Sequence, residues 1–372
     1  MDFSFSVDQQ LLRNAARAFL DEHCPPAVVR SLMDDGRGES EALWKDMAGL
    51  GWLGLALPEA AGGSGLGMVE TAIVLEEMGR VAYPGPYFPT VLAGLAIAEA
   101  GSAAQQSRWL PAIATGSARA TVALLDGQLD WAPEAVETRA ERMRGRYLLS
   151  GAKPFVPWAH VADALLVPAR APEGLSLFVV ETSAAGLALA PVLGMDVGTR
   201  WTSVRLDSVP VSEDAVLGRP GEAAPLLEGL LQRGAVGAAA EMLGAARRCL
   251  DMSVAYARVR EQFGQPIGSF QAIRHKCAEM LLEVENAHAA TYYAAWALDA
   301  AAEDRAIAAS VAKAYVSEAA RKVCGEAIQV HGGIGFTWEY DLHLYMKRAK
   351  ALEAMYGDPD HHRELIVRRV AG

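Results

Sequence analysis

The stretch 260–271, Arg260-Glu261-Gln262-Phe263-Gly264-Gln265-Pro266-Ile267-Gly268-Ser269-Phe270-Gln271, sets a cation, amides and two aromatic rings between two long helical patterns. Gly264, Pro266 and Gly268 break both patterns. A guanidinium forks two N–H donors onto a phosphate. A phenyl ring lies against a flat ligand, and a Gln amide reaches ring edges. The same residues also suit an ordinary helix-to-helix turn, with Phe263 and Phe270 plugging the core. The stretch 329–336, Gln329-Val330-His331-Gly332-Gly333-Ile334-Gly335-Phe336, shifts that balance. Ending a helix takes one glycine, whereas Gly332, Gly333 and Gly335 together leave the backbone bare for close approach. The two stretches predict a site for something flat and phosphorylated. His361 and His362 are adjacent and follow Asp360. Neighbours on a helix point about 100° apart, which makes a shared metal ion a poor fit. They read as polar surface or as the rim of a substrate site.

These residues need elements to hold them. The chain has 372 residues, 52% hydrophobic and 21% charged, enough for two or three domains with a large core. A net charge of −11 argues against nucleic-acid or anionic-membrane surfaces. Cys24, Cys249, Cys277 and Cys324 are widely spaced and fit reduced thiols. The opening Met1-Asp2-Phe3-Ser4-Phe5-Ser6 shows no signal-peptide pattern, and no long uncharged apolar run predicts a membrane span. A cytoplasmic protein is the expectation.

Residues 1–118 read as an N-terminal α-helical domain. Leu11, Leu12, Ala15, Ala16, Phe19 and Leu20 form a helical stripe, and Ser40 is placed to cap another helix. Residues 119–222 switch to short β-leaning runs punctuated by Gly and Pro, which predicts a small antiparallel β domain, a barrel or sandwich. Residues 223–372 return to long alanine-rich helical patterns and read as a C-terminal four-helix bundle. The fold class is α+β and multidomain.

At this point the chain resembles the acyl-CoA dehydrogenase family. Leu43-Trp44-Lys45, the 51–55 run Gly51-Trp52-Leu53-Gly54-Leu55, the Pro58–Gly67 loop and Glu76-Glu77-Met78-Gly79-Arg80 are similar to the family's N-terminal domain. Ser150-Gly151-Ala152-Lys153 and Val209-Pro210-Val211 through Gly218 are similar to its β domain. The 260–271 and 329–335 stretches are similar to its two flavin-contact motifs. The resemblance spans the chain, with the motifs in order. It implies an FAD-dependent oxidoreductase acting on CH–CH bonds of an acyl-CoA in fatty acid or steroid degradation. It also implies a tetramer, as a homo-oligomer or with a second acyl-CoA dehydrogenase chain, and electron-transfer flavoprotein or a similar acceptor. Arg260, Phe263 and Gln271 would reach a neighbour's FAD, as would Gln329, His331, Gly332 and Gly333. Phe155 and Val156 sit where the family sets a strand against the flavin ring; a core aromatic is the equal alternative for Phe155. No metal is implied.

Two departures matter. The family's reaction needs a carboxylate base at the carbon alpha to the thioester and hydrogen bonds to the developing enolate oxygen. The matching place in Met355-Tyr356-Gly357-Asp358-Pro359 falls on Gly357. The other place used in the family falls on Gly234, or with a small slip on Gln232. Two nearby carboxylates are the candidates. Asp358 is one residue away, though it also suits the start of a turn before Pro359. Glu241 lies about two helical turns past Gly234, though it also suits a structural pair with an Arg such as Arg247. A partner chain that supplies the carboxylate, or a different flavin reaction on this scaffold, stays open. The second departure is the loop after the first strand, Leu125–Asp130 in sequence, where the family's Thr-Glu-Pro-Gly-rich tract is missing. The alanines and glycines from 234 to 244 leave room for a bulky or branched acyl group.

Overall fold

The structure is a computed structural model that describes residues 5–371. The tetrad 1–4, part of the stretch expected to lack a leader, lies outside the described residues. Helix α1 (Val7–His23) opens on a reciprocal cap in which Ser6 accepts from the Gln9 N–H and the Gln9 side chain returns to Ser6. This satisfies donors that every helix start leaves open. Then come α2 (Pro26–Asp34) and α3 (Glu41–Gly49), the latter capped by Ser40 as its placement predicts. Next, α4 (Met68–Arg80) is buried although it carries Glu76, Glu77 and Arg80. Apolar on all sides, α5 (Tyr87–Ala100) is buried accordingly. A second Ser–Gln cap, Ser102 with Gln105, starts α6 (Ala103–Ala114).

Eight strands follow: β1 (Ala120–Val122), β2 (Arg139–Met143), β3 (Arg146–Pro157), β4 (Ala164–Ala171), β5 (Gly174–Glu181), β6 (Leu187–Val192), β7 (Trp201–Ser212) and β8 (Val216–Leu217). Among the described residues they make one sheet in the order β6-β7-β3-β2-β4-β5-β8, with β1 added on β4. Most neighbours are antiparallel, as expected. The β1–β4 pairing and the short β2–β4 pairing are parallel. Parallel neighbours need a long crossover rather than a hairpin, so local sequence did not announce them. The chain then forms α7 (Ala224–Val259), a small hairpin of β9 (Glu261–Gln262) and β10 (Gln265–Pro266), α8 (Gln271–Asp299), α9 (Arg305–His331), α10 (Leu342–Ala354) and α11 (Pro359–Val370).

These elements group into two compact units. The first takes residues up to Met33, Met68–Tyr83 and everything from Gln232 onward. There, α9 is the central helix, flanked by α8, α10 and α11, and its alanine-rich surface permits close packing on several sides. Glu76 and Glu77 are each 1% exposed. Arg247 and Tyr292 bond to Glu76, Arg17 bonds to Glu77, Arg80 forms an ion pair with Glu77, and Arg13 reaches both carboxylates. Buried carboxylates persist only with such partners. Asp299 caps α4 from a distance, accepting the Met68 and Val69 N–H groups at 2.7 and 3.0 Å.

The second unit takes Asp34–Gly67 and Pro84–Leu231. Its core is one face of the sheet, with Leu149, Leu165, Val167, Phe178, Val180 and Val204 buried together. There, α5 lies against β1, and Thr90 donates to the Ala120 carbonyl at 2.9 Å.

Candidate functional site

The break after α7 is a two-residue hairpin. Gln262 pairs with Gln265, and the tip residues Phe263 and Gly264 have φ of +54° and +78°. Two consecutive left-handed residues define the turn type that matches strand twist. Glycine adopts that backbone freely, whereas a phenylalanine is strained in it. Phe263 is nonetheless 92% exposed and meets Phe270 edge-on with centroids 6.1 Å apart. The core-plug reading therefore fails for Phe263. The Arg260 N–H donates to the Tyr256 carbonyl at 2.8 Å, and its side chain, like that of Gln271, is exposed.

The second motif comes to the same corner. Gly332 (φ +63°) ends α9, donating to the Gln329 and Ile328 carbonyls. A side chain at Gly332 or Gly333 would meet nothing within 4 Å, so this backbone faces open space. Gln329 is exposed on the last turn. His331 is buried, with Nδ1 2.7 Å from the Ala327 carbonyl and its ring stacked on Tyr256 at 4.4 Å. Burial lowers its pKa, partly opposed by that hydrogen bond. Tyr256 thus joins the motifs, holding Arg260 by its carbonyl and His331 by its ring. The sequence did not single it out, because a Tyr on an alanine-rich helix looks like core. An exposed cation, a presented phenyl ring and bare backbone fit a dinucleotide.

The turn after α10 is pinned from two sides. Tyr356 and Gly357 have φ of +57° and +100°. Lys313 is fully buried and donates to the Glu353 and Gly357 carbonyls, each at 2.8 Å. Burial pushes its ammonium down to about 7, against the pull of Glu353 and Asp358. His362 Nε2 meets the Tyr356 carbonyl at 2.9 Å. Burial, then the Lys313 and His361 charges, push His362 down to about 3, so it is neutral. Asp358 is the N-cap of α11: its carboxylate accepts the His361 N–H at 2.8 Å, ahead of Pro359.

Neither glycine at the expected base places leaves a vacant niche. A Cβ on Gly357 would sit 2.5 Å from His361 Cδ2 and 2.9 Å from His362 Nε2. A Cβ on Gly234 would sit 2.5 Å from the Tyr356 ring. Glu241 pairs with Arg348, not Arg247, at 2.5 Å; Arg348 is 3% exposed and also donates to the Tyr83 carbonyl. Arg247 instead bridges Glu76 and Glu285.

In the other unit, β3 carries a bulge between Lys153 and Val156. Phe155 lies in it with φ +55°, turned out to 43% exposure, while Val156 is buried opposite Thr202. Bulges redirect side chains in this way. The loop after β1 is stapled rather than loose. Asp126, 4% exposed, accepts from Lys153 at 2.6 Å, from the Thr138 hydroxyl at 2.5 Å and from the Glu137 N–H at 3.2 Å. Burial pushes the Lys153 ammonium down to about 8, opposed by Asp126.

Comparison with known proteins decides the family. Residues 6–117 match the acyl-CoA dehydrogenase N-terminal domain, and residues 225–371 match the acyl-CoA dehydrogenase C-terminal domain. The chain belongs to the acyl-CoA dehydrogenase family. It is 33% identical to acyl-CoA dehydrogenase IpdE2 of Mycolicibacterium smegmatis, over 95% of this chain and 96% of that one. Among solved structures it is similar to a variant of the Tcur3481-Tcur3483 steroid ACAD, with a TM-score of 0.89, 34% identity and 98% of each chain covered. It is also similar to the ChsE4-ChsE5 complex from Mycobacterium tuberculosis, with a TM-score of 0.92, 30% identity, and 100% of this chain and 99% of that one covered. As an acyl-CoA dehydrogenase it is an FAD-dependent oxidoreductase acting on CH–CH bonds of an acyl-CoA. Among the described residues no helix is long and apolar enough to cross a membrane.

Proposed function

We propose that this acyl-CoA dehydrogenase desaturates a bulky or branched acyl-CoA of the steroid-derived kind. One relative supports that class, a steroid ACAD. The observation that carries the FAD site is Phe263, strained yet presented to solvent beside Arg260. Arg260 would grip the pyrophosphate, and Phe263 and Gln271 the adenine end. Gln329 and the bare backbone at His331, Gly332 and Gly333 would complete that corner. Phe155, lifted out by its bulge, and Val156 would face the flavin ring. When bound, FAD supplies a hydride acceptor for the β carbon. The chain's own residues bind and orient, and the domain division at 118/119 and 222/223 belongs to the same proposal.

A tetramer and an electron-transfer flavoprotein acceptor complete this reading. A second reading, in which this chain partners another acyl-CoA dehydrogenase chain that supplies the carboxylate, is favoured by one observation. Asp358 is held as a helix cap and Glu241 by Arg348. Purified chain is expected to be yellow and to reduce ferrocenium with a bile-acid CoA thioester at higher kcat/KM than with butyryl-CoA or palmitoyl-CoA. A chain that takes up flavin only when co-expressed with a second homologue establishes the partner reading. A folded assembly that stays flavin-free throughout overturns both.

A further inference from the structure

Glycine at 357 removes a side chain but does not empty its place. The imidazole of His361 comes nearest to it, with Cδ2 2.5 Å and Cγ 3.2 Å from where a Cβ would stand, beside His362 Nε2 at 2.9 Å. The edge of an imidazole ring therefore begins where a carboxylate stem would rise. We propose that His361 is the catalytic base of this chain, accepting the proton from the carbon alpha to the thioester. The assignment rests on the dehydrogenase reading above and on Gly357 marking the base position.

The surroundings favour His361 over its neighbours. Its backbone N–H is fixed by the Asp358 carboxylate at 2.8 Å. Its ring meets His362 edge-on, with centroids 5.4 Å apart. The turn beside it is clasped by Lys313 through the Gly357 carbonyl, so the ring is seated against a rigid floor. His362 is no substitute, since it is 4% exposed and its Nε2 already faces the Tyr356 carbonyl. Imidazole is suited to proton abstraction near neutral pH. In the step, the α C–H bond breaks heterolytically. Its electron pair moves into the thioester enolate, and the proton passes to a ring nitrogen of His361. Nothing is oxidised in this half of the reaction, so it can be followed alone.

The experiment incubates the full FAD-loaded chain with a bile-acid CoA thioester in D2O without an electron acceptor. Deuterium entering the α position is read by mass spectrometry. The wild type is expected to exchange, and His361→Gln to exchange about 10²–10⁴-fold more slowly, with FAD content and thioester Kd within about twofold. His361→Ala opens the niche, and added free imidazole is expected to restore part of the rate. A His361→Gln variant that exchanges at the wild-type rate overturns the assignment. So does wild-type exchange that appears only after a second acyl-CoA dehydrogenase chain is added. A wild type that binds the thioester without exchanging it sinks the assignment alone. One that holds FAD but binds none of the three thioesters named above overturns the dehydrogenase reading and the assignment with it.

Discussion

Phe263 separates stability from function in a single side chain. Its left-handed backbone costs on the order of 1–2 kcal/mol for a residue bearing a Cβ, and its ring is 92% exposed. A fold gains nothing by keeping it. Phe263→Gly should therefore hold or raise the thermal midpoint while weakening FAD binding by about tenfold, the order expected for one lost aromatic contact. Calorimetry and flavin titration read the two effects separately, and a lower midpoint with unchanged FAD affinity would reject the role. The stretch stood out in the sequence because a cation and rings in a Gly-Pro break suit either a flat, phosphorylated ligand or a core turn, and the exposure of Phe263 removes the second use for that ring. Tyr256 and Lys313 were not legible. Each sits in an alanine-rich helix, where the half-buried Tyr256 ring and the buried Lys313 ammonium share the local sequence of core. The Glu241–Arg348 pair was equally hidden, since the contact joins α7 to α10 and nothing near Glu241 names its partner.

Helices α4 and α7 cross through glycine. A Cβ on Gly244 would strike the Glu76 carbonyl, and one on Gly79 the Glu241 carbonyl. The crossing is backbone against backbone, so it also fixes Glu76 among its arginines. By contrast, Gly325 lies inside α9 with nothing within 4 Å of its missing Cβ. The same substitution should act oppositely at these positions. Gly244→Ala is expected to destabilise by about 1–3 kcal/mol through overpacking, and Gly325→Ala to stabilise by about 0.5–1 kcal/mol through helix propensity. Urea midpoints decide it, and equal effects at both sites would discard the crossing argument. Periodicity made the long helices readable, and α7, α8 and α9 fall within the 223–372 stretch read as long helical patterns. It could not supply the parallel pairing of β1 with β4, because a crossover leaves no local mark. Nor could it supply the β9–β10 hairpin, whose strands are too short for a period. The loop after β1 kept its tie without the expected motif, because Asp126 and Lys153 meet only in the folded sheet.

Buried bases give the protein as a whole an alkaline stability optimum. Burial holds Lys313 at about 7 and Lys153 at about 8 in the folded state, against about 10.4 in an unfolded chain. Between the folded and unfolded values the unfolded chain carries a proton that the folded one lacks. Unfolding then takes up protons, so the lysine contribution to stability rises with pH from about 7 to about 10, by at most about 1.4 kcal/mol per pH unit for each group. His362 acts in the same sense lower down: its folded value of about 3 means stability is lost as pH falls below about 6.5. The buried phenols of Tyr87 and Tyr356 are pushed upward by burial. Unfolded tyrosines ionise near 10, so stability falls again above that. The net charge of −11 opposes the rise, but at about 0.15 M salt surface repulsion is screened beyond roughly 8 Å. Burial also raises the thiols of Cys24 and Cys249, which ionise near 8.5 in an unfolded chain and so offset the lysine gain above that; urea midpoints from pH 5 to 11 should therefore peak near pH 8–9. Lys153 is coupled to Asp126, so Lys313 is the cleaner probe. Lys313→Met should lower the whole curve, because the Glu353 and Gly357 carbonyls lose their donor. It should also remove up to one proton from the slope between pH 7 and 10. A wild-type profile that is flat or falling between pH 7 and about 8.5 would show that these lysines keep their ordinary affinity for protons.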